Sequence, residues 1–461
     1  MTRSPQSLEQ RFADSMGGLL GPDFPGDIGL AVSGGGDSMA MLTLAHNWTR
    51  VWGVRLWVVT IDHGLRRESA TEAAMVAQEC AALGWPHATV KWHWDGSGNL
   101  QDAARQARLD LIDRWRGVLR HVLMAHTKDD LSETFLMRFK RGSGVDGLSA
   151  MRDRREIHGA GSAAALEENE FLGELPPQSG FREAREMQSD SFEVLRPCLS
   201  MRREDLRHYL TVLKTPWAED PSNLDPKYER VRVRQSLPDL DRLGLSVDLI
   251  AETAKRLRRA QEALQQRAVQ VWRDIGHEGR TEYARTGDIL LTRSGFDGVE
   301  RETQLRLLAA GLQYVSSAPY RPRAEPLEAL LDRLLGGGGG TLHGCECRAE
   351  KEQLRIFREE KPLKNLTSPD PQHGFWDQRW RIPAPLPDGA QIRNLGDEGW
   401  RLIENKRDTA IPYHAARSLP AVWKGDVLLA CDAFGVGPGG GLALWPHGRA
   451  GHSFARFLLS H

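Results

Sequence analysis

Short apolar runs alternate with longer amphipathic stretches over the first 140 residues of the chain. The apolar runs predict β-strands at 28–32, 55–61, 88–92 and 121–125. The stretches that follow them repeat apolar positions at helical spacing and predict α-helices at about 38–50, 69–83, 99–119 and 129–140. Strict alternation of strand and helix predicts an α/β fold with a doubly wound parallel sheet, in which ligands bind beyond the carboxyl ends of the strands.

This pattern is lost between residues 153 and 192, where the sequence shows no periodicity. We expect a mobile surface insertion there. Beyond it the sequence predicts a long arginine-rich helix at about 246–275 and a small α+β unit at 280–360, with the five glycines 336–340 as a flexible connection. A short-stranded, tryptophan-rich part follows a proline-rich link. The predicted domains are residues 1–240, 241–361 and 372–461.

Composition narrows the class of protein. The chain has 461 residues, 40% hydrophobic and 27% charged, as expected of a folded protein with more than one domain. No stretch approaches the ~20 apolar residues of a membrane span, and the N-terminus lacks a signal-peptide core. Five scattered cysteines without a Cys-x-x-Cys pair indicate a cytoplasmic protein and argue against disulfides, an iron–sulfur cluster or structural zinc. The net charge of −1 gives no global attraction for nucleic acid.

The most informative motif is Ser33-Gly34-Gly35-Gly36-Asp37-Ser38, between the first predicted strand and its helix. Glycines allow positive φ and close backbone approach, so the N–H groups of such a loop can turn toward an anion at the helix N-terminus. The serine hydroxyls add donors, and Asp37 is placed to hold Mg²⁺ against phosphate oxygens. Because the motif lacks the lysine of a Walker A sequence, it predicts a phosphate-binding loop of another kind.

A second polar group, His126, Asp129, Asp130 and Glu133, follows the fourth strand. If a helix begins near Asp129, both aspartates lie in its first turn and Glu133 shares their face. Carboxylates near a phosphate site can hold Mg²⁺, or they can hold the ammonium group of an amine substrate and help to remove its proton. Acids placed only for helix stability are the alternative. Asp62-His63-Gly64 follows the second strand, so three strand ends converge on one crevice.

These motifs resemble a known family. The glycine loop is similar to the pyrophosphate loop of the PP-loop ATP pyrophosphatases, which cleave ATP to AMP and pyrophosphate while adenylating a substrate. Several further segments resemble tRNA(Ile)-lysidine synthetase, one family of that superfamily. They are Asp62-His63-Gly64-Leu65-Arg66, Ala104-Arg105-x-x-Arg108, His126-x-x-Asp129-Asp130-x-x-Glu133-Thr134, Arg141-Gly142-Ser143-Gly144, Arg196-Pro197, Trp217-x-Glu219-Asp220-Pro221-Ser222-Asn223 and Arg230-x-Arg232-x-Arg234. The resemblance covers residues 27–238 once the insertion is set aside.

The resemblance implies a definite reaction. ATP adenylates the C2 position of the wobble cytidine in an isoleucine tRNA with a CAU anticodon, and the ε-amine of L-lysine then replaces AMP to form lysidine. It further implies a role for each matching residue. Ser33, Gly34, Gly35, Gly36, Asp37, Ser38, Asp62 and His63 would bind ATP, Asp37 would face Mg²⁺, and Arg105, Asp130 and Glu133 would bind lysine. Asp37, His126, Asp130 and Glu133 are the expected catalytic residues, with a carboxylate or His126 as the base.

The later arginines predict contacts with tRNA. Arg230, Arg232 and Arg234 alternate, so in a strand they would share one face and follow phosphates. With Arg141 and Arg196 they form the expected tRNA-binding set. The sequence leaves the oligomeric state open, a homodimer included.

Two other readings of the chain stay open at the sequence level. A tRNA thiolase would share the glycine loop but would normally carry paired cysteines or an iron–sulfur motif. A non-enzymatic, nucleotide-dependent RNA-binding protein would have lost Asp37 or the carboxylates, which are intact here.

Overall fold

The computed structural model of the chain describes residues 6–64, 68–94, 96, 100–149, 151–158, 166–177, 191–367, 375–381, 386–407, 409–437, 442–446 and 453–460. The chain divides into two compact units, Met1–Gln261 and Glu262–His461. The finer division into three domains stays a prediction. Among the described helices, none is long and apolar enough to cross a membrane.

The first unit is built on a seven-stranded sheet. Its strands are β1 (Asp27–Ala31), β2 (Arg55–Asp62), β3 (His87–Lys91), β4 (His121–Met124), β5 (Arg154–His158), β6 (Phe171–Gly173) and β7 (Ser191–Leu195). Their order across the sheet is β5, β7, β4, β1, β2, β3, β6. The five central strands run parallel, while β5 and β6 pair antiparallel at the two edges. The predicted α/β fold with a parallel sheet is confirmed.

Helices connect these strands and continue beyond them. They are α1 (Leu8–Leu20), α2 (Gly36–Trp52), α3 (Glu68–Leu83), α4 (Leu100–Trp115), α5 (Lys128–Lys140), α6 (Val145–Leu148), α7 (Arg203–Leu213), α8 (Glu229–Arg242) and α9 (Val247–Ile275). Short 3₁₀ turns occupy Pro197–Ser200 and Pro221–Leu224. The four helices predicted between the strands are α2 to α5, and the long arginine-rich helix is α9.

Alternate residues of the central strands belong to two apolar cores. On β2, Leu56 and Val58 pack in the core that also contains Phe12 of α1, whereas Trp57 and Val59 pack in a second core. A parallel strand buried on both faces requires a nearly continuous apolar run. For this reason strands β1 to β4 could be predicted from the sequence.

The segment 153–192, expected to be a mobile surface insertion without regular structure, contains two short strands among the residues that the structure describes. Arg154–His158 pairs with β7, and Phe171–Gly173 pairs with β3, so each extends one edge of the sheet. Edge strands this short bury few side chains, Ile157 among them, and therefore show no periodicity. Residues 159–165 and 178–190 lie outside the described residues.

The predicted strand through Arg230, Arg232 and Arg234 is wrong, because these residues lie in helix α8. A helix repeats every 3.6 residues, so Arg230 and Arg234 share a face and Arg232 does not. Val231 is buried on this helix. Five residues of alternating character fit a strand and a helix equally well, and packing decides between them.

The second unit contains antiparallel sheets. A five-stranded sheet has the order β10 (Gly339–Leu342), β11 (Cys345–Ala349), β12 (Gln353–Arg358), β9 (Arg285–Thr292), β8 (Gly276–Arg280). Two three-stranded sheets are β13 (Phe375–Trp376), β14 (Trp380–Arg381) with β18 (Ala443–Leu444), and β15 (Gln391–Asn394), β16 (Pro420–Lys424) with β17 (Val427–Ala430). The described helices are α10 (Arg293–Asp297), α11 (Arg301–Ser316), α12 (Ala324–Leu335), α13 (Gly396–Leu402), α14 (Tyr413–Ala416) and α15 (Phe454–Ser460).

The glycine run of this unit is more than a flexible connection. Gly339 pairs with Arg348, and Gly340 pairs with Cys347, along the edge of the five-stranded sheet. The prediction for residues 336–340 is therefore wrong at its C-terminal end.

Candidate active site

The predicted phosphate loop runs from the end of β1 into α2. Gly34 has a φ of +85°, a conformation that residues with a side chain rarely adopt. Ser38 Oγ accepts a hydrogen bond from the Ser33 N–H at 3.1 Å and donates to the Gly35 carbonyl at 2.9 Å. Helix α2 begins after Gly35 without a side-chain cap, and the Ser38 N–H in its first turn donates to the Gly35 carbonyl at 3.0 Å, so it is mainly the positive end of the helix dipole that favours an anion here.

A later segment supports this loop from behind. The Ala218 N–H donates to the Gly34 carbonyl at 2.9 Å, and Ala218 forms a parallel bridge with Gly35. A Cβ added at Gly36 would lie 3.4 Å from Arg207 and Trp217 side-chain atoms. A side chain at Gly36 would meet these neighbours at ordinary contact distance, so it is the positive φ of Gly34 that requires a glycine in this loop.

Asp37, in the first turn of α2, has two unequal carboxylate oxygens. Oδ2 accepts a hydrogen bond from Arg203 Nε at 3.0 Å, whereas Oδ1 is buried and has no hydrogen-bond partner among the described groups. Burial raises the pKa of Asp37, and Arg203 offsets this only in part.

An orphaned carboxylate oxygen beside a phosphate loop fits a ligand of Mg²⁺. This ion typically binds one or two carboxylates together with substrate phosphates and water. Within the described residues no cluster of three or more His, Cys, Asp or Glu side chains could hold a metal ion by itself. The residues present therefore fit Mg²⁺ that arrives with a nucleotide, not a metal held in a protein cage.

Arg203, at the start of α7, joins the phosphate loop to α5. Its Nε donates to Asp37, its Nη2 to Asp130 Oδ1 at 2.9 Å and its Nη1 to Glu133 Oε1 at 3.0 Å. Its backbone N–H donates to Asp129 Oδ2 at 2.8 Å. One guanidinium thus brings together three carboxylates from two separate helices. Burial opposes the charged form, but the carboxylates, Asp130 first, outweigh it and raise the pKa of Arg203.

The N-terminus of α5 fixes Asp130. Thr127 is the N-cap residue, and it forms a capping box in which Asp130 Oδ2 accepts hydrogen bonds from both the N–H and the hydroxyl of Thr127, at 2.8 and 2.9 Å. Burial favours the neutral acid, yet the Arg203 guanidinium holds the pKa of Asp130 below its usual value. Asp130 is therefore ionised at neutral pH, and its Oδ1 remains directed to Arg203.

Glu133 is completely buried and surrounded by arginines. Its Oε1 accepts hydrogen bonds from Arg203 and, at 2.7 Å, from Arg234 Nε. Its Oε2 lies 3.4 Å from both Arg230 Nε and Arg234 Nη2. The shared face of Asp130 and Glu133 that the sequence predicted is confirmed by their common partner, Arg203.

His126 follows β4 and lies beside Arg196, which follows β7. Arg196 Nε donates to His126 Nδ1 at 3.2 Å. Since arginine only donates, Nδ1 must be unprotonated and the neutral ring carries its proton on Nε2. Burial, followed by Arg196, lowers the pKa of His126 to about 3. This arrangement presents an N–H donor and disfavours His126 as a base.

The loop after β2 is the third part of the crevice. Asp62 Oδ1 accepts a hydrogen bond from the Gly64 N–H at 2.9 Å. His63 packs edge-on against Trp92, with ring centroids 5.5 Å apart, and its Nδ1 is buried without a partner among the described groups. Burial lowers the pKa of His63 to about 4, so the ring is neutral. Its Nδ1 has an unused hydrogen-bonding capacity that a ligand could satisfy. Leu65 and Arg66 lie outside the described residues.

The other predicted residues differ in accessibility. Arg141 is exposed and pairs with Glu229. Arg232 donates to the carbonyls of Pro226 and Lys227 at 2.7 and 2.8 Å. Arg196 is buried and also donates to the Arg152 carbonyl at 2.6 Å, so the structure does not present it to a large ligand. Arg105 lies in α4, but its side chain is outside the described set.

Sequence reasoning missed Arg203. A physical signal for it exists, because Arg203 is the first residue of a helix, where a positive charge opposes the helix dipole. A cation at that position requires acidic partners from elsewhere in the fold. The glycine loop and the α5 acids supply them.

Comparison with known proteins identifies the class to which this fold and site belong. A family model for the PP-loop domain matches residues 8–240. Curated relatives named tRNA(Ile)-lysidine synthase match most of the chain. The one from Ruegeria pomeroyi is 36% identical over 419 residues, which cover 90% of each chain. The one from Wolbachia pipientis wMel is 31% identical over 369 residues, which cover 77% of this chain and 76% of the relative. A Bradyrhizobium sp. relative is 36% identical over 352 residues, 72% of this chain and 89% of its own.

The chain therefore belongs to the tRNA(Ile)-lysidine synthase family. Its ATP-binding PP-loop domain is the part that carries the crevice described above.

Proposed function

We propose that this protein joins L-lysine to C2 of the wobble cytidine of an isoleucine tRNA with a CAU anticodon. ATP is consumed, AMP and pyrophosphate are released, and the modified tRNA decodes AUA as isoleucine. The observation that carries the proposal is the meeting of Asp37, Asp130 and Glu133 at Arg203. It brings a carboxylate of the phosphate loop together with a carboxylate pair suited to an amine.

The first step is adenylation. The C2 oxygen of cytidine attacks the α-phosphorus of ATP, and the bond from that phosphorus to pyrophosphate breaks. The loop N–H groups and the serine hydroxyls of residues 33–38 hold the phosphates, and Asp62 with His63 lies against the nucleoside half. Asp37 would hold Mg²⁺ through its unpartnered Oδ1, and Mg²⁺ supplies charge neutralisation for the departing pyrophosphate.

The second step is displacement of AMP. The ε-amine of lysine attacks C2, a carbon–nitrogen bond forms, and the bond from C2 to the AMP oxygen breaks. Asp130 and Glu133 pair with the lysine amino groups, and Arg105 is proposed for its carboxylate. The attacking amine must first lose a proton. His126 offers a donor and not an acceptor, so we assign the proton to the carboxylate pair, and His126 holds the neighbouring groups in place.

The tRNA is proposed to lie along Arg141, Arg230, Arg232 and Arg234. The accessible fraction of the side chain is 62% for Arg141, 42% for Arg230 and 29% for Arg234. Glu229 fixes the position of Arg141, and Glu133 fixes Arg230 and Arg234, while their remaining N–H groups can donate to phosphates. Arg196 is withdrawn from this set because it is buried against His126.

The cysteines count against a thiolase. All five are buried, and burial raises the pKa of Cys80, Cys345 and Cys431 to about 12, so none is poised as a thiolate. Burial likewise raises the pKa of Cys198 and Cys347. The intact Asp37, Asp130 and Glu133 count against a non-enzymatic RNA-binding protein.

One assay tests the proposal. Purified protein, ATP with Mg²⁺ and radiolabelled lysine are incubated with a transcribed isoleucine tRNA carrying CAU, and a methionine tRNA serves as the control. We expect label on the isoleucine tRNA alone, with AMP released in equal amount. AMP release without label on the tRNA would exclude lysine as the nucleophile, and the absence of both would overturn the proposal.

A further inference from the structure

The carboxylates proposed for lysine are already heavily used within the protein. Glu133 has four contacts: Arg203 and Arg234 on Oε1, and Arg230 and Arg234 on Oε2. A carboxylate offers about four lone-pair sites; three on Glu133 accept hydrogen bonds, and the Arg230 guanidinium lies 3.4 Å from Oε2, so an ammonium group would have to displace an arginine. A lysine amine can bind Glu133 only if one of these arginines withdraws.

Asp130 is less fully used, with three of its roughly four lone-pair sites occupied. Its Oδ2 accepts two hydrogen bonds from Thr127 in the capping box of α5, and its Oδ1 accepts one from Arg203. Losing the Thr127 bonds would uncap the helix, which makes them the costlier contacts to give up. The contact that Asp130 can exchange is the one with Arg203.

Arg203 differs from the other two arginines in what else it contacts. Its Nε is bonded to Asp37, in the first turn of the helix that carries the phosphate loop, and only 14% of its side chain is accessible. Arg230 and Arg234 reach Glu133 from α8, and Arg230 also donates to the Thr134 hydroxyl. Of the three, Arg203 is therefore the arginine placed to turn toward a triphosphate.

We infer that Arg203 couples the two substrate sites, because a lysine amine can pair with Glu133 only in place of a guanidinium, and Arg203 is the one that also contacts Asp37 of the phosphate loop. This inference rests on the proposed function. A triphosphate in the glycine loop draws the guanidinium toward phosphate oxygens, and the freed carboxylate oxygens then accept the lysine amine. Lysine binding thus follows nucleotide binding, and by linkage lysine must tighten nucleotide binding by the same factor.

The test measures lysine binding directly, without catalysis. Titration calorimetry with L-lysine is run on the full-length protein with and without saturating α,β-methylene ATP, an analogue that cannot release pyrophosphate. For the wild-type protein we expect the analogue to tighten lysine binding by about tenfold or more, within the usual range of coupling between sites. The reverse titration, analogue with and without lysine, must give the same factor.

Variants separate coupling from structure. In Arg203→Ala the guanidinium that must withdraw from Glu133 is absent, so lysine should bind without the analogue and the coupling factor should fall to about one. Arg203→Lys keeps a positive charge if the alanine variant does not fold, and one ammonium cannot replace three forked hydrogen bonds, so coupling should also fall. Arg202→Ala is the matched control, since Arg202 pairs with Asp129, Glu204 and Asp248 and not with the three carboxylates. It should retain the wild-type factor.

Equal lysine affinity with and without the analogue in the wild-type protein would overturn the inference, and so would a wild-type coupling factor in both Arg203 variants. Absence of lysine binding with the analogue present would overturn it as well. None of these results touches the proposed function, which the transfer of labelled lysine to tRNA decides separately.

Discussion

Arg196 and His126 join the ends of two neighbouring parallel strands through a 3.2 Å hydrogen bond from Arg196 Nε to His126 Nδ1. The bond exists only while Nδ1 is unprotonated, and a protonated ring would place two positive charges against each other. The pair therefore ties the stability of this part of the sheet to pH.

The sign of that dependence follows from the pKa. Burial, with Arg196 next, lowers the pKa of His126 from 6.5 to about 3, so below pH 6.5 the unfolded chain binds a proton that the folded protein does not. Stability from this group is present above pH 6.5 and is lost as the pH falls toward 3. Between pH 7.5 and 5 the free energy of unfolding should fall by about 2 kcal/mol more in the wild-type protein than in His126→Asn, which keeps an acceptor for Arg196. Urea denaturation at both pH values measures this, and parallel losses in the two proteins would contradict it.

Gly34 and Gly53 provide a matched pair for the phosphate loop. Both have positive φ, +85° and +66°, so alanine costs about 1–2 kcal/mol of backbone strain at either position. Gly53 is the C-cap of α2, and a Cβ there meets nothing within 4 Å, whereas Gly34 lies in the loop itself. Both alanine variants should lose similar stability, but only Gly34→Ala should raise the KM for ATP, by about tenfold. An equal ATP KM in the two variants would show that the loop does not bind the nucleotide.

Asp37→Asn keeps the size of the side chain and removes its charge. We expect AMP formation to fall by about 100-fold or more, because the developing charge on pyrophosphate loses its cation-binding carboxylate. The affinity for isoleucine tRNA should stay within about twofold, since Asp37 is not among the proposed tRNA contacts. Asp27→Asn, at the opposite end of β1, is the control and should retain activity. Undiminished AMP release from Asp37→Asn would remove Asp37 from the ATP site.

Glu133→Gln removes the charge that holds three arginines, with no part of the carboxylate accessible to solvent. Leaving buried cations unpaired is expensive, so we expect a loss of about 3 kcal/mol in the free energy of unfolding. Glu229→Gln is the comparison. Glu229 also pairs with two cations, Lys140 and Arg141, but these are well exposed, and the loss should stay below about 1 kcal/mol. Losses of equal size would mean that the arginine cluster does not depend on Glu133.

Glu133→Gln should also raise the KM for lysine more than the KM for ATP, because Glu133 is a proposed lysine contact and lies outside the phosphate loop. Steady-state kinetics with each substrate varied in turn measures the two effects. An unchanged KM for lysine would remove Glu133 from the lysine site.

Secondary structure that depends on the pattern of neighbouring apolar residues could be predicted from the sequence. Strands β1 to β4 were found because burial on both faces demands continuous apolar residues, and α5 was found because its apolar positions repeat at helical spacing. Arg203 was not found, since its role depends on carboxylates 70 and 166 residues away in sequence. The helix at Arg230–Arg234 was mistaken for a strand because five residues of alternating character fit both conformations. The burial of Val231 and the pairing of Arg234 with Glu133, which accompany the helix, depend on residues outside that window.

The hydrogen bond from Ala218 to Gly34 has a consequence for how small a nucleotide-binding fragment of this protein can be. The glycine motif lies within the first 40 residues and the last strand of the seven-stranded sheet ends at Leu195, so a fragment ending near residue 200 would contain every strand of that sheet. Such a fragment would still leave the Gly34 carbonyl without its main-chain partner and Gly35 without the parallel bridge to Ala218. A minimal ATP-binding piece must therefore extend past residue 218, and any shortening of the chain for crystallography or screening has its natural limit there.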